Sequence, residues 1–302
     1  TSKIMDIENA RKIYEDILQK YPKNKKAIAG FKKLSAKQSV GYKNLKEPPQ
    51  NQMQPLINLY KQEQFQQILS IASDLILEFP YSFNLLNFIG AANKALGNLD
   101  KAIQAYKKAI AIKPDYAEAF NNLGTALKDQ GKLDEAFENY NKALIIKDDY
   151  FEAYNNLGLT LLEKGQLEKA MKAFNKALTI KPDYIEAWCN GADGLERSNQ
   201  LEKLGLWLQR AYNAYDVIPS DLILIKSNLL WREKNYDKAF SLISEINFKT
   251  VSEFRKQAFL LLKAKVSEKF NDFDKAYECF YESNLLSKNS RQYFKSNPEE
   301  FF

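Results

Sequence analysis

Histidine does not occur among the 302 residues. Its absence removes the commonest general base and the commonest transition-metal ligand of proteins together. Cysteine is nearly as scarce. Cys189 and Cys279 stand too far apart for a metal-ligand spacing and supply no disulfide framework, so both are expected to pack in helices as small hydrophobes. The eleven glycines occur singly, which leaves no phosphate-cradling loop, and no serine sits in a nucleophile-elbow context. Nowhere is there the long uncharged apolar run of a membrane helix, and the opening Thr-Ser-Lys-Ile-Met-Asp lacks the apolar core of a signal peptide. The carboxylate pairs Asp148-Asp149 and Glu299-Glu300 read as solvated caps at a turn and in the tail. No catalytic residue, metal or cofactor can be nominated, and a reducing, cytoplasmic setting is the expectation.

What the sequence does contain is helix. Hydrophobic residues make up 45% of the chain. They recur three and four apart, and Ala, Leu, Lys, Glu and Gln fill the positions between them, so pattern and propensity agree on an all-α protein. The net charge of +6 is local: residues 1 to 60 hold 12 basic and 5 acidic residues, +7, and the remaining 242 come to −1. Basic segments can attract nucleic acid. Here, however, the lysines fall on the outer faces of amphipathic helices and read as a solvated surface, so neither a nucleic-acid nor a membrane partner is expected.

Between Phe83 and Tyr184 the chain repeats itself every 34 residues, in units Phe83 to Tyr116, Ala117 to Tyr150 and Phe151 to Tyr184. Each carries a hydrophobic-glycine pair (Ile89-Gly90, Leu123-Gly124, Leu157-Gly158), then a second glycine (Gly97, Gly131, Gly165). Then come a small residue (Ala102, Ala136, Ala170), an aromatic (Tyr106, Tyr140, Phe174) and another alanine (Ala109, Ala143, Ala177). This is the pattern of two antiparallel helices per unit, the second glycine ending the first helix in a left-handed conformation. One such hairpin cannot bury its own apolar face, so the units must stack as a solenoid. On these columns the chain resembles the tetratricopeptide repeat proteins. The resemblance implies a right-handed superhelix with Tyr106, Tyr140, Phe174, Leu123 and Leu157 buried.

Weaker copies flank the core, and about seven repeats are expected over 49–288, starting near 49, 83, 117, 151, 185, 220 and 257. Residues 1–38 read as a helical segment with a partial repeat, in which Ala10, Tyr14, Ile17 and Pro22 occupy second-helix columns. Residues 39–51 read as a linker, Pro55 to Gln62 as a short first helix, and 289–302 as a tail ending on Phe301 and Phe302. The orphan helix at the start and the lack of an initiator methionine suggest a piece of a longer protein. In the repeat from Ile185, Gly191 and Ala192 replace the hydrophobic-glycine pair, while Leu204 and Leu208 stand at the small and aromatic columns. The spacings of 35 and 37 that follow imply longer turns.

In the resembled family the first helices line a concave face that binds a partner segment. Carried over by column, that face holds Asn84, Glu118, Glu152 and Glu186 at the second position and Asn87, Asn121 and Asn155 at the fifth. Asn122, Asn156 and Asn190 hold the sixth, Thr125, Leu159 and Asp193 the ninth, and Lys128 the twelfth. An amide both donates and accepts, so an asparagine ladder suits the backbone of an extended peptide. A similar ladder lines the O-linked N-acetylglucosamine transferases, and the competing reading is that these amides bridge adjacent helices. Wall-facing amides predict that replacing Asn122 and Asn156 weakens binding and leaves the melting temperature nearly unchanged.

The leading expectation is therefore a non-catalytic protein-interaction scaffold holding an extended peptide or partner helix. The resemblance of Ala264 to Lys288 to the last repeat before a sulfotransferase domain implies a second: the substrate-presenting amino-terminal region of a bacterial sulfotransferase or glycosyltransferase. A third is a scaffold that self-associates through uncapped apolar ends.

Overall fold

The structure, a computed structural model, describes residues 24–40 and 47–296, with positions 10, 13, 14, 16–18 and 21 before them. Of 32, 35–40 and 288–296 it describes the backbone alone. It is built of helices, with no strand among the described residues. Two compact units divide at residues 166 and 167. The first holds α1 (Lys25–Val40), α2 (Gln50–Lys61), α3 (Phe65–Glu78), α4 (Phe83–Ala95), α5 (Leu99–Ile112), α6 (Ala117–Asp129), α7 (Leu133–Ile146) and α8 (Phe151–Glu163). The second holds α9 (Leu167–Ile180), α10 (Ile185–Arg197), α11 (Leu201–Tyr212), α12 (Ser220–Arg232), α13 (Tyr236–Glu245), α14 (Glu253–Lys269) and α15 (Phe273–Ser296), with a short 3-10 turn, Phe248–Thr250, before α14. From α2 onward the even-numbered helices are first helices of repeats and the odd-numbered ones second helices.

The repeat register is written in the backbone. The residue after each first helix that adopts positive φ is Glu63, Gly97, Gly131, Gly165, Asn199, Lys234 or Asn271, with φ between 54° and 76°. These positions are spaced as the repeat starts are, including the two longer intervals. Each is followed by a residue whose amide reaches back five positions to a carbonyl of the helix: Gln64 to Leu59, Asn98 to Asn93, Lys132 to Leu127, Gln166 to Leu161, Gln200 to Leu195, Asn235 to Leu230 and Asp272 to Ser267, all at 2.8 or 2.9 Å. This is the Schellman closure, which satisfies carbonyls that a helix end would leave bare. Where glycine is lost, at Glu63, Asn199, Lys234 and Asn271, the same turn persists with its own closing hydrogen bond, which helps offset the steric cost of the left-handed side chain.

The glycines inside the first helices serve packing instead. A Cβ on Gly90 would lie 2.5 Å from Tyr106 Cε1, and one on Gly124 would lie 2.8 Å from Tyr140 Cε1. The second-helix aromatic thus lies directly on first-helix backbone, with the alanine columns on either side, Ala102, Ala109, Ala136 and Ala143, fully buried. Tyr140 is fully buried too. Its hydroxyl donates to Thr125 Oγ1 at 3.2 Å, and burial pushes the phenol well above its ordinary range. Tyr106, Phe174, Leu123 and Leu157 are buried as expected.

The repeat from Ile185 differs from its sequence reading. Gly191 lies against Trp207, a Cβ there falling 2.4 Å from Cζ2, so the glycine–aromatic pair is retained sixteen residues apart but moved back by one position. The Trp207 indole donates to the carbonyl of Trp188 at 2.8 Å, the two rings meet edge-on at 4.9 Å, and Leu204 and Leu208 are buried beside them. A one-residue slip of both partners preserves the contact, which column-by-column comparison cannot see.

In the first unit Leu18, Ala27 and Phe31 form a small core that packs on Ile145 and Ile146 at the end of α7. In the expected amino-terminal helical segment the described positions 10, 13, 14 and 16–18 are helical. The expected linker is shorter than 39–51: α1 runs to Val40, α2 starts at Gln50 straight after Pro48-Pro49, and 41–46 lie outside the described residues. Glu47 anchors the approach by accepting from the Ser82 hydroxyl and, at 3.1 Å, from the Phe83 amide, placing a carboxylate at the positive end of α4. In the second unit α14 begins at Glu253, four residues ahead of the repeat start at 257, so the long spacing is taken up by the 3-10 turn and an added helical turn. α15 continues to Ser296, past the end expected at 288. The expected tail residues Pro298, Phe301 and Phe302 lie outside the described residues.

The left-handed turn generates a prediction. Lys234 carries a Cβ at φ 61°, a conformation costing about 1–2 kcal/mol for an ordinary residue, against about 0.5–1 kcal/mol for the greater chain entropy of glycine. Lys234→Gly should therefore stabilise by up to about 1 kcal/mol in urea unfolding, whereas Tyr140→Ala should cost about 3–5 kcal/mol. Unchanged midpoints for both would contradict this register.

Candidate functional site

In the first unit the wall is formed by α4, α6 and α8. These helices carry the residues of the second, fifth, sixth and ninth positions, the ninth-position Thr125 also accepting from Tyr140, with Glu118 in the first turn of α6 and Lys128 in its last turn, as the helix dipole favours. The amides are brought together. Asn122 Nδ2 donates to Asn87 Oδ1 at 3.1 Å, Asn156 Nδ2 donates to Asn121 Oδ1 at 3.0 Å, and Asn121 Nδ2 donates to Asn122 Oδ1 at 3.4 Å. A continuous chain Asn156, Asn121, Asn122, Asn87 therefore crosses three first helices.

The bonds join the sixth position to the fifth position of the preceding repeat, not sixth to sixth as the 34-residue recurrence suggests. Helical side chains lean toward the amino-terminal end of their helix, so a sixth-position amide meets the fifth-position amide of the parallel helix before it. Asn121 and Asn155 are buried, while Asn87, Asn122 and Asn156 are half-buried.

The rest of the wall is tied down in the same way. The Tyr116 hydroxyl donates to Asn84 Oδ1 at 3.1 Å, and burial pushes that phenol up to about 12. Thr125 Oγ1 donates to the Asn121 carbonyl at 3.1 Å. At the helix ends Lys94 pairs with Asp129 at 3.2 Å, and Lys128 with Asp129 at 3.5 Å and Glu163 at 3.3 Å. Glu118, Glu152 and Leu159 are half-buried on the same side. The result is a wall of fixed amides with an acidic column along one edge.

In the second unit α10 supplies Glu186, which is exposed, with Asn190 and Asp193, which are half-buried. Asp193 accepts from Arg255 Nη2 at 2.7 Å. The Nε of the same guanidinium lies 3.9 Å from Asp221 Oδ2, and the other Asp221 oxygen accepts from the Ser252 amide at 3.1 Å. Arg255 is buried and so spans three first helices from the added turn of α14. Asn228 Nδ2 donates to Glu196 Oε1 at 2.6 Å. Cys189 is buried close by, and desolvation pushes its thiol up to about 12; the other cysteine, Cys279, is buried and free as well.

Asp221 and Asn228 occupy the second and ninth columns of the repeat from 220 and were within reach of the column argument. Arg255 precedes its repeat start, so no column contains it. Among the described residues no group of His, Cys, Asp and Glu side chains could hold a metal ion, and no helix is long and apolar enough to cross a membrane.

Three family models describing tetratricopeptide repeats match the chain, over residues 90–131, 115–183 and 3–24. The last places repeat character in the amino-terminal segment. Among solved structures, a Pseudomonas aeruginosa protein described as pilF is 21% identical, over 72% of this chain and 97% of that one, with a TM-score of 0.57. PilW, described as a type IV pilus biogenesis factor, is 21% identical over 69% and 98%, with a TM-score of 0.59. A tetratricopeptide repeat protein of Parabacteroides merdae is 15% identical over 78% and 92%, with a TM-score of 0.58. No curated protein matches the sequence. The repeats, their turns and these likenesses make the chain a tetratricopeptide repeat protein, a fold that serves protein–protein interaction in general.

The amide chain also generates a prediction. Asn122→Ala with Asn156→Ala removes two bonds between repeats and strips Asn87 and Asn121 of donors. The double variant should lose about 1–3 kcal/mol of stability, where amides serving only a ligand would leave the urea midpoint in place.

Proposed function

We propose that the α4–α6–α8 wall is a non-catalytic docking surface for an extended, basic peptide segment of a protein partner. The observation that carries this reading is the amide chain. Asn122 and Asn156 each have two N–H donors, and the bond to the preceding repeat uses one, so the wall holds positioned, half-buried amides that need little ordering when a peptide backbone arrives. Amides engage any backbone. Selection then falls to the side chains at the edge, where Glu118 and Glu152 form an acidic column and Leu159 an apolar contact. That edge favours lysine or arginine in the bound segment and disfavours a terminal carboxylate.

Glu118→Lys with Glu152→Lys tests the reading without touching the amide chain. On an array of extended peptides the wild-type protein should retain basic sequences, and the double variant should lose them by roughly tenfold or more and gain acidic ones. Its circular dichroism should stay unchanged and its melting should fall only slightly, by the ~0.3–1 kcal/mol per site that an acid in a first helical turn contributes. Identical peptide selection by both proteins would end this reading.

A further inference from the structure

A cavity of about 400 Å³ opens between α9 and α11, two successive second helices of the second unit. Its apolar lining includes Met171, Leu206 and Trp207, and its charged lining is Lys172, Lys203 and Arg210 against a single acid, Glu168. Leu206 is 64% exposed. The same column holds Gln104, Glu138 and Lys172 in the three preceding repeats, so a leucine stands in water where the repeat elsewhere puts a polar side chain. Among the described residues no acid lies within ion-pair distance of Lys172, Lys203 or Arg210. Arg210 is positioned by neutral groups instead. Its Nη2 donates to Asn175 Oδ1 at 2.9 Å, and its guanidinium carbon lies 5.4 Å from the centre of the Trp207 ring and 5.6 Å from that of Trp188. The charge is therefore held in place without being neutralised, and the guanidinium keeps further N–H groups to offer.

We propose that this cavity receives an acidic amphipathic helix of a partner protein, with carboxylates at i and i+7 meeting Lys203 and Arg210 and apolar residues at i+3 and i+4 covering Leu206 and Met171. Lys203 and Arg210 are two helical turns apart on one face of α11, about 10 Å, and Leu206 lies between them. A helix with the same spacing of opposite charge therefore matches both bases and sets its own apolar residues over the leucine. Docking of a helix in a groove is read through anchors at such intervals, and a methionine in the lining adapts to the anchor it meets. Charge separates this site from the α4–α6–α8 wall. There the acidic edge calls for a basic segment, whereas the bases here call for an acidic one.

The probe is a fluorescent alanine-based helical peptide with Glu, Leu, Leu and Glu at i, i+3, i+4 and i+7, its control the same peptide with Lys for Glu, and the readout anisotropy against the full chain. The acidic peptide should bind in preference to the basic one. Lys172→Glu with Lys203→Glu should weaken its binding by roughly tenfold or more and reverse the preference, and Leu206→Gln should weaken binding of the acidic peptide without reversing it. These side chains are exposed, so circular dichroism should stay as in the wild type. Glu118→Lys with Glu152→Lys should leave the acidic peptide bound as before, which keeps this test separate from that of the amide wall. An acidic peptide that does not bind, equal binding of the two peptides, or a charge-reversed chain that binds like the wild type would overturn the proposal. So would a wild-type dimer in sedimentation velocity that Leu206→Gln dissociates, because a second copy would then occupy the cavity.

Discussion

Three of the repeats depend on one approach of side chain to backbone: an aromatic ring of the second helix lying where a first-helix side chain would otherwise be. At Gly90 with Tyr106, Gly124 with Tyr140 and Gly191 with Trp207 there is no room for a Cβ. The ring consequently sets how closely the two helices approach and, with the alanines beside it, leaves the hairpin one broad apolar face. Because a hairpin cannot bury that face alone, stacking follows from the contact. The slip of Gly191 and Trp207 shows which variable is held: the sixteen-residue separation across the turn persists, while the absolute column does not.

On the other side of the first helices the chemistry is neutral hydrogen bonding in the first unit and charge in the second. An amide carries no net charge to desolvate, so Asn121 and Asn155 can be buried at small cost if they are bonded. Arg255 is different. A buried guanidinium needs acids around it, and Asp193 and Asp221 supply them from two other first helices. Both devices tie successive repeats together. A surface held this way is ordered in advance, which would lower the ordering entropy lost if the proposed segment docks on the first unit.

The 34-residue period, the all-helical composition and the alternation of large and small columns determined the fold from the sequence alone, because they are local and repeated. The left-handed turn was legible at Gly97, Gly131 and Gly165 and hidden at Glu63 and Lys234, where only the backbone shows that the turn survives without glycine. The asparagine columns were legible as residues, and their pairing was not. Whether the sixth-position amide meets the sixth or the fifth position of its neighbour depends on how far a side chain leans along a helix, which spacing does not encode. Arg255 was out of reach for a different reason. It acts across 62 residues of sequence from a helical turn that lies outside the repeat, and only tertiary packing brings the three first helices close enough for one guanidinium to join them.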